Sequence, residues 1–160
     1  MELKKKSDQT LWILEDNDSD RFCLHEALGM FYDLEFFDRI RDLAAALDDK
    51  ERLKPQLLLL DMRLKDGYLL QSGTIGIQQK FPFIVISSLD DMEVIRRSYQ
   101  LGAFDFIIKP FRKNELLIAI ERALKKKLTT HDSSNSRRIE FLKGILNWDT
   151  QMLEIGRDTI

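Results

Sequence analysis

The chain has 160 residues, 44% of them hydrophobic and 32% charged, with a formal net charge of −2. That length suffices for one domain with a buried core, and the slightly acidic balance argues against direct nucleic-acid binding. A single cysteine, Cys23, excludes an internal disulfide, a thiolate zinc site and a redox pair, and its helical surroundings predict a packed residue. The longest apolar run, Leu57 to Leu60, is too short to cross a bilayer. The basic start Met1 to Lys6 leads into Ser7-Asp8-Gln9, not an apolar stretch, so no secretory signal is expected and the cytoplasm is the expected location.

Five short apolar runs read as strands: Leu11 to Leu14, Leu34 to Phe37, Leu57 to Leu60, Phe83 to Ile86 and Phe104 to Ile108. Each is continuous and not alternating, as strands covered on both faces require. Helical spacing fills the intervals, with Phe22, Leu24, Ala27, Leu28 and Phe31 after the first run and Leu43, Ala46 and Leu47 after the second. Tyr68 to Lys80 is the weakest helix, since Gly73 and Gly76 each cost about 1 kcal/mol relative to alanine. Asp90, Asp91 and Glu93 suit the first turn of a fourth helix, while Leu116, Leu117, Ile120, Ala123 and Leu124 mark a fifth, ending at Lys125-Lys126-Lys127. The order predicts an α/β fold, a (βα)5 doubly wound sheet of five parallel strands.

In such a sheet the working residues lie just past the carboxyl ends of the strands. Glu15 and Asp16 follow the first run, Asp61 the third, Ser87 and Ser88 the fourth, and Lys109-Pro110 the fifth. Carboxylates gathered in one cleft repel unless a cation joins them, and few all-oxygen ligands suit Mg2+. Phosphoryl transfer asks for a nucleophile, a metal and fixed donors, which Asp61, Mg2+, Lys109 and Ser87 would supply. Taken singly, the residues have plainer readings: Glu15 and Asp16 as helix caps, Lys109 as a solvated lysine, Phe106 as core. His25 and His131 have no partner at metal-ligand spacing.

The strand-end motifs Leu14-Glu15-Asp16-Asn17, Leu60-Asp61-Met62-Arg63-Leu64, Ile86-Ser87-Ser88 and Gly102-Ala103-Phe104-Asp105-Phe106-Ile107-Ile108-Lys109-Pro110-Phe111 resemble those of response regulator receiver domains. The likeness covers roughly residues 9 to 127 and is carried by the four motifs together, in order. It implies a receiver (flavodoxin-like) fold in a two-component system, with Asp61 as phosphoacceptor. Asp16 would be a direct Mg2+ ligand, Glu15 a ligand through water, and Arg63 a ligand through its carbonyl. Lys109 would pair with the phosphoryl group, Ser87 would hydrogen-bond it, Phe106 would turn inward, and the Lys109-Pro110 bond would be cis. A sensor histidine kinase or phosphotransfer protein would be the donor, slow hydrolysis would reset the state, and the chain would not be a metabolic enzyme. When phosphorylated it would form a homodimer through the fourth helix, fifth strand and fifth helix, a face carrying Met92, Ile95 and Tyr99 beside Leu117 and Leu124, some of which would make the contact. Two departures follow Asp61: Lys65 stands where such receivers usually have proline and Leu69 where they have a second glycine, which predicts a more mobile loop.

Residues 1–127 are thus expected to form the receiver, 128–136 a polar linker and 137–160 a C-terminal extension. Three readings of the extension stay open: the opening sheet of a winged-helix domain, the start of an ATPase activator domain of the enhancer-binding type, or a free-standing helix. Ala119, where winged-helix regulators usually carry arginine, leans toward the enhancer-binding group. Control of transcription is expected through such an output domain, and DNA contact only through one that is missing or truncated here. Two other functions stay in view, a stand-alone receiver acting by protein-protein interaction and an aspartyl phosphohydrolase. Arg63 counts against the second, since that family needs an acid two residues after its nucleophile.

Overall fold

Strands buried on both faces need apolar side chains at consecutive positions, a demand that the three inner runs meet, while the two edge runs, interrupted by Glu35 and Asp105, are only partly buried; all five are strands of a single sheet. A computed structural model describes residues 8–65, 67–69, 81–88 and 92–129. Its elements are β1 (Thr10–Leu14), α1 (Asp18–Leu28), β2 (Asp33–Phe37), α2 (Ile40–Asp48), β3 (Leu57–Leu60), β4 (Arg63–Leu64), β5 (Gly67–Tyr68), β6 (Phe83–Ser87), α3 (Met92–Gln100), β7 (Asp105–Ile108) and α4 (Lys113–Thr129). The sheet runs in the order β2-β1-β3-β6-β7 with every pairing parallel, so the expected doubly wound sheet of five parallel strands is the one observed.

Successive strand residues serve opposite cores, as the two-residue period requires. Leu11, Ile13, Leu57, Leu59, Ile84, Ile86 and Ile107 pack with Leu24 and Leu28 of α1 and with Leu116 and Ile120 of α4. Their neighbours Trp12, Leu14, Leu58, Leu60, Phe83 and Val85 pack with Ile40 and Leu43 of α2 and, on α3, with Val94 and Tyr99. The chain divides into two compact units, Met1–Lys125 and Lys126–Ile160; the sheet and its two cores belong to the first. Among the described residues, no helix is long and apolar enough to cross a membrane.

Several expectations change. In α1 the inward stripe is Leu24, Ala27 and Leu28, so Phe22 is 65% exposed and Cys23, expected to pack, faces outward. Leu124, expected on an exposed face, is part of the core, and α4 continues to Thr129, past the expected linker start. Tyr68 belongs to the antiparallel pair β4–β5, where Gly67 has φ 132° and so takes a backbone conformation that side chains disfavour. The rest of the expected third helix, Asp90 and Asp91, and residues 130–160 lie outside the described residues.

Leu59 sits on the central strand and is 1% exposed. Leu59→Ala should lower the unfolding free energy by about 3 kcal/mol in urea titrations. Leu53→Ala, at a side chain 91% exposed, should change it by less than about 0.5 kcal/mol.

Candidate functional site

The sheet's hydrogen-bond ladder continues one residue beyond the strands that carry the site. The backbone N–H of Glu15 donates to the Phe37 carbonyl at 2.9 Å, that of Asp61 to Leu14 at 2.9 Å, and that of Lys109 to Ser87 at 2.8 Å. Three site residues on three strands therefore have main chains fixed by the sheet itself.

Their side chains meet at one point. Lys109 Nζ donates to Glu15 Oε2 at 2.5 Å, to Asp61 Oδ2 at 2.8 Å and to Asp20 Oδ2 at 2.8 Å. The Glu15, Asp61 and Lys109 side chains are 1%, 7% and 10% exposed, so this ion cluster is largely shut off from water. Asn17 organises one side of it. Its N–H donates to Glu15 Oε1 at 3.0 Å, and its Oδ1 accepts the Asp20 N–H at 3.0 Å, which makes Asn17, and not Glu15 or Asp16, the N-cap of α1. The Arg63 N–H fixes the other Asp61 oxygen, Oδ1, at 2.9 Å.

Burial pushes the Glu15 carboxyl above the ordinary carboxylate range, and the bonds from Lys109 and Asn17 only partly oppose it. For Lys109 the balance is reversed. Burial alone would lower its pKa, but the bonds to Asp20, Asp61 and Glu15 outweigh that and hold it above the usual lysine range. The ammonium is thus kept charged by the acids around it.

The remaining expected residues are placed less centrally. Asp16 is turned to another partner: its Oδ2 accepts the Lys65 N–H at 2.5 Å, and the Lys65 ammonium reaches the Asp16 carbonyl at 3.2 Å. Ser87 is fully buried at the end of β6, opposite Ile108, while Ser88 is exposed. Phe106 is half-buried and packs on the α2–α3 side of the sheet. Arg63 is exposed, and the Lys109-Pro110 bond is cis.

Among the described residues, no group of three or more His, Cys, Asp or Glu side chains forms a ready metal cage. The donor chemistry nonetheless fits Mg2+, which takes few carboxylates and keeps its waters. Glu15 Oε2 and Asp61 Oδ2 already converge on one cation, the Lys109 ammonium.

Two residues of this site escaped the sequence reading. Asp20 lies in the first turn of the helix that the acid pair precedes, the one signal available for it. Lys65 acts through its backbone N–H, which proline lacks; the departure at this position was visible, but its partner Asp16 was not.

An open, parallel, flavodoxin-like sheet with carboxylates and a lysine gathered at its carboxyl edge defines a receiver-like α/β fold. The chain belongs to the response regulator receiver domain family, whose model matches residues 11–121. The DNA-binding transcriptional regulator NtrC of Proteus hauseri is 33% identical over an alignment of 119 residues that covers 71% of this chain and 24% of that protein. The response regulator protein TodT of Pseudomonas putida strain F1 is 36% identical over 99 residues, 61% of this chain and 43% of that one. The solved structure of the non-phosphorylated HemR receiver domain from Leptospira biflexa has a TM-score of 0.63 at 26% identity, covering 73% of this chain and 94% of that one. The chain therefore spans less than half the length of either of these two relatives.

Lys109→Met would leave two nearly buried carboxylates without their counter-charge. The unfolding free energy at neutral pH should fall by about 3 kcal/mol, measured by urea titration. A loss below about 1 kcal/mol would show that the ammonium does not hold the cluster together.

Proposed function

We propose that the chain is a phosphoacceptor switch in which Asp61 takes a phosphoryl group from the phosphohistidine of a sensor histidine kinase or phosphotransfer protein. One observation carries this reading above the others: at the end of β3, Asp61 has one oxygen held by the Arg63 N–H at 2.9 Å and the other by the Lys109 ammonium at 2.8 Å. A carboxylate oriented in this way presents a fixed nucleophile beside a permanent positive charge.

In the proposed step an Asp61 oxygen attacks phosphorus in line. The new O–P bond forms as the N–P bond to the donor imidazole breaks, and the imidazole takes up a proton. Lys109 then pairs with phosphoryl oxygens, the Ser87 hydroxyl donates to one of them, and Phe106 turns inward behind it. Mg2+, held by Glu15, Asp16, Asp61 and the Arg63 carbonyl, would offset the negative charge that gathers there. Water hydrolysing the acyl phosphate returns the chain to rest, so the chemistry serves signalling and not turnover of a metabolite.

The output reading is that residues 1–127 act as the receiver in the cytoplasm, 128–136 as a linker and 137–160 as the start of an output segment. Kinship with NtrC, a DNA-binding transcriptional regulator by name, supports a role in transcription through that segment. The phosphorylated chain would pair as a homodimer through α3, β7 and α4. Met92, 64% exposed on α3, and Ile108, 43% exposed on β7, are apolar contacts available for it.

Acetyl phosphate with Mg2+ should add one phosphoryl group by intact mass, and Asp61→Asn should abolish it. Full labelling of Asp61→Asn, or labelling indifferent to a chelator, would sink the assignment. In sedimentation, Mg2+ and beryllofluoride should raise the mass of the full chain toward a dimer while Asp61→Ala stays unchanged. A monomer in both would remove the dimer and leave the phosphoacceptor standing.

A further inference from the structure

An ammonium has three N–H donors and no acceptor. In Lys109 all three are matched by carboxylate oxygens, of Glu15 at 2.5 Å, Asp20 at 2.8 Å and Asp61 at 2.8 Å. A phosphoryl oxygen can therefore bond to Lys109 only if one of these acids gives up its place.

The three differ sharply in what release would entail. Glu15 is 1% exposed, and its other oxygen is tied to the Asn17 N–H, so it has no route to water and could release Lys109 only to another cation in the same place. Asp61, once it is an acyl phosphate, loses its charge and can yield one donor to the phosphoryl group that it carries, so a second donor must come from Glu15 or Asp20. Asp20 is 37% exposed and sits in the first turn of α1, where the unpaired N–H groups favour a carboxylate even without Lys109. It can turn into water with little loss.

We infer that Asp20 is a releasable counter-charge: in the resting chain it occupies a place on Lys109 that a second phosphoryl oxygen would take, and so weakens the hold of the acceptor site on a phosphoryl group. Asp20 is then a positioning residue, acting through Lys109, and the inference rests on the phosphoacceptor reading given above. A chain with such a competitor rests with its lysine fully paired and changes state only when the incoming group outbids a side chain that is already in place. A ligand shifts an equilibrium by its differential affinity, and Asp20 subtracts from that difference.

The test measures beryllofluoride binding to the full chain at saturating Mg2+ by fluorine NMR, which counts the bound anion directly. Asp20→Asn should bind it about threefold to fivefold more tightly than wild type, the range expected for removing one partly exposed ion pair. Asp20→Glu, which keeps the charge, should return toward wild type. Asp18→Asn removes the same charge from the same helical turn at an exposed position, and should bind as wild type does. The inference is overturned if Asp20→Asn binds no tighter than wild type, or if Asp18→Asn tightens binding equally, because the effect would then be long-range repulsion. Weaker Mg2+ binding by Asp20→Asn in calorimetry would also overturn it, making Asp20 a metal ligand instead. Failure of wild type to bind beryllofluoride in an Asp61-dependent way would fall on the phosphoacceptor reading itself, whereas wild-type binding with an indifferent Asp20→Asn would fall on Asp20 alone.

Discussion

Glu15 and Asp61 are held almost entirely out of water, and neither could stay there as a charged group without the ammonium of Lys109 between them. The rest of the site is arranged around that constraint. Asn17 places Asp20, Arg63 places Asp61, and the sheet ladder fixes the main chains from which Glu15, Asp61 and Lys109 project. A buried ion cluster is weak evidence for stability, because its desolvation opposes its attraction. On the phosphoacceptor reading its value lies in readiness: three carboxylates already share one ammonium, so an added phosphoryl group would have to compete for it.

The sheet makes this possible by separating two tasks. Its interior strands are apolar on both sides and supply the two cores, while the first residue past a strand supplies chemistry. Packing at Leu59 or Ile84 is thereby insulated from partner changes one or two residues beyond the strand ends. The rearrangements proposed for Ser87 and Phe106 sit between these regimes, since Ser87 is fully buried and Phe106 is partly packed against the α2–α3 core.

The strands were legible because double-sided burial leaves continuous apolar runs, and the structure starts and ends each of them within about a residue of the reading. Glu15, Asp61 and Lys109 were legible as neighbours because parallel strands bring their carboxyl ends to one edge, a consequence of topology alone. Asp20 was not, because its partner Lys109 lies 89 residues away and Asp20 itself reads as an ordinary acid in the first turn of a helix. The hold of Lys65 on Asp16 works through a main-chain N–H, which nearly every residue type would provide. Cys23 and Phe22 were misread for a simpler reason. An apolar residue within a helical segment need not share the inward stripe, and Leu24, Ala27 and Leu28 define that stripe without them.

The pairing of β6 with β7 has a bearing on how this chain can change length. Ser87 lies opposite Ile108, and the Ser87 carbonyl accepts the next N–H, that of Lys109, at 2.8 Å. One residue inserted within either strand would slide its carboxyl end by about 3.3 Å and turn every side chain beyond it to the opposite face. Hydroxyl and ammonium would part, and two cores would exchange their residues. An insertion in the exposed stretch Lys50 to Leu53, by contrast, would lengthen a connection between α2 and β3 at the other end of the strands. Indels in this chain should therefore be tolerated at the amino edge of the sheet and selected against inside its last two strands.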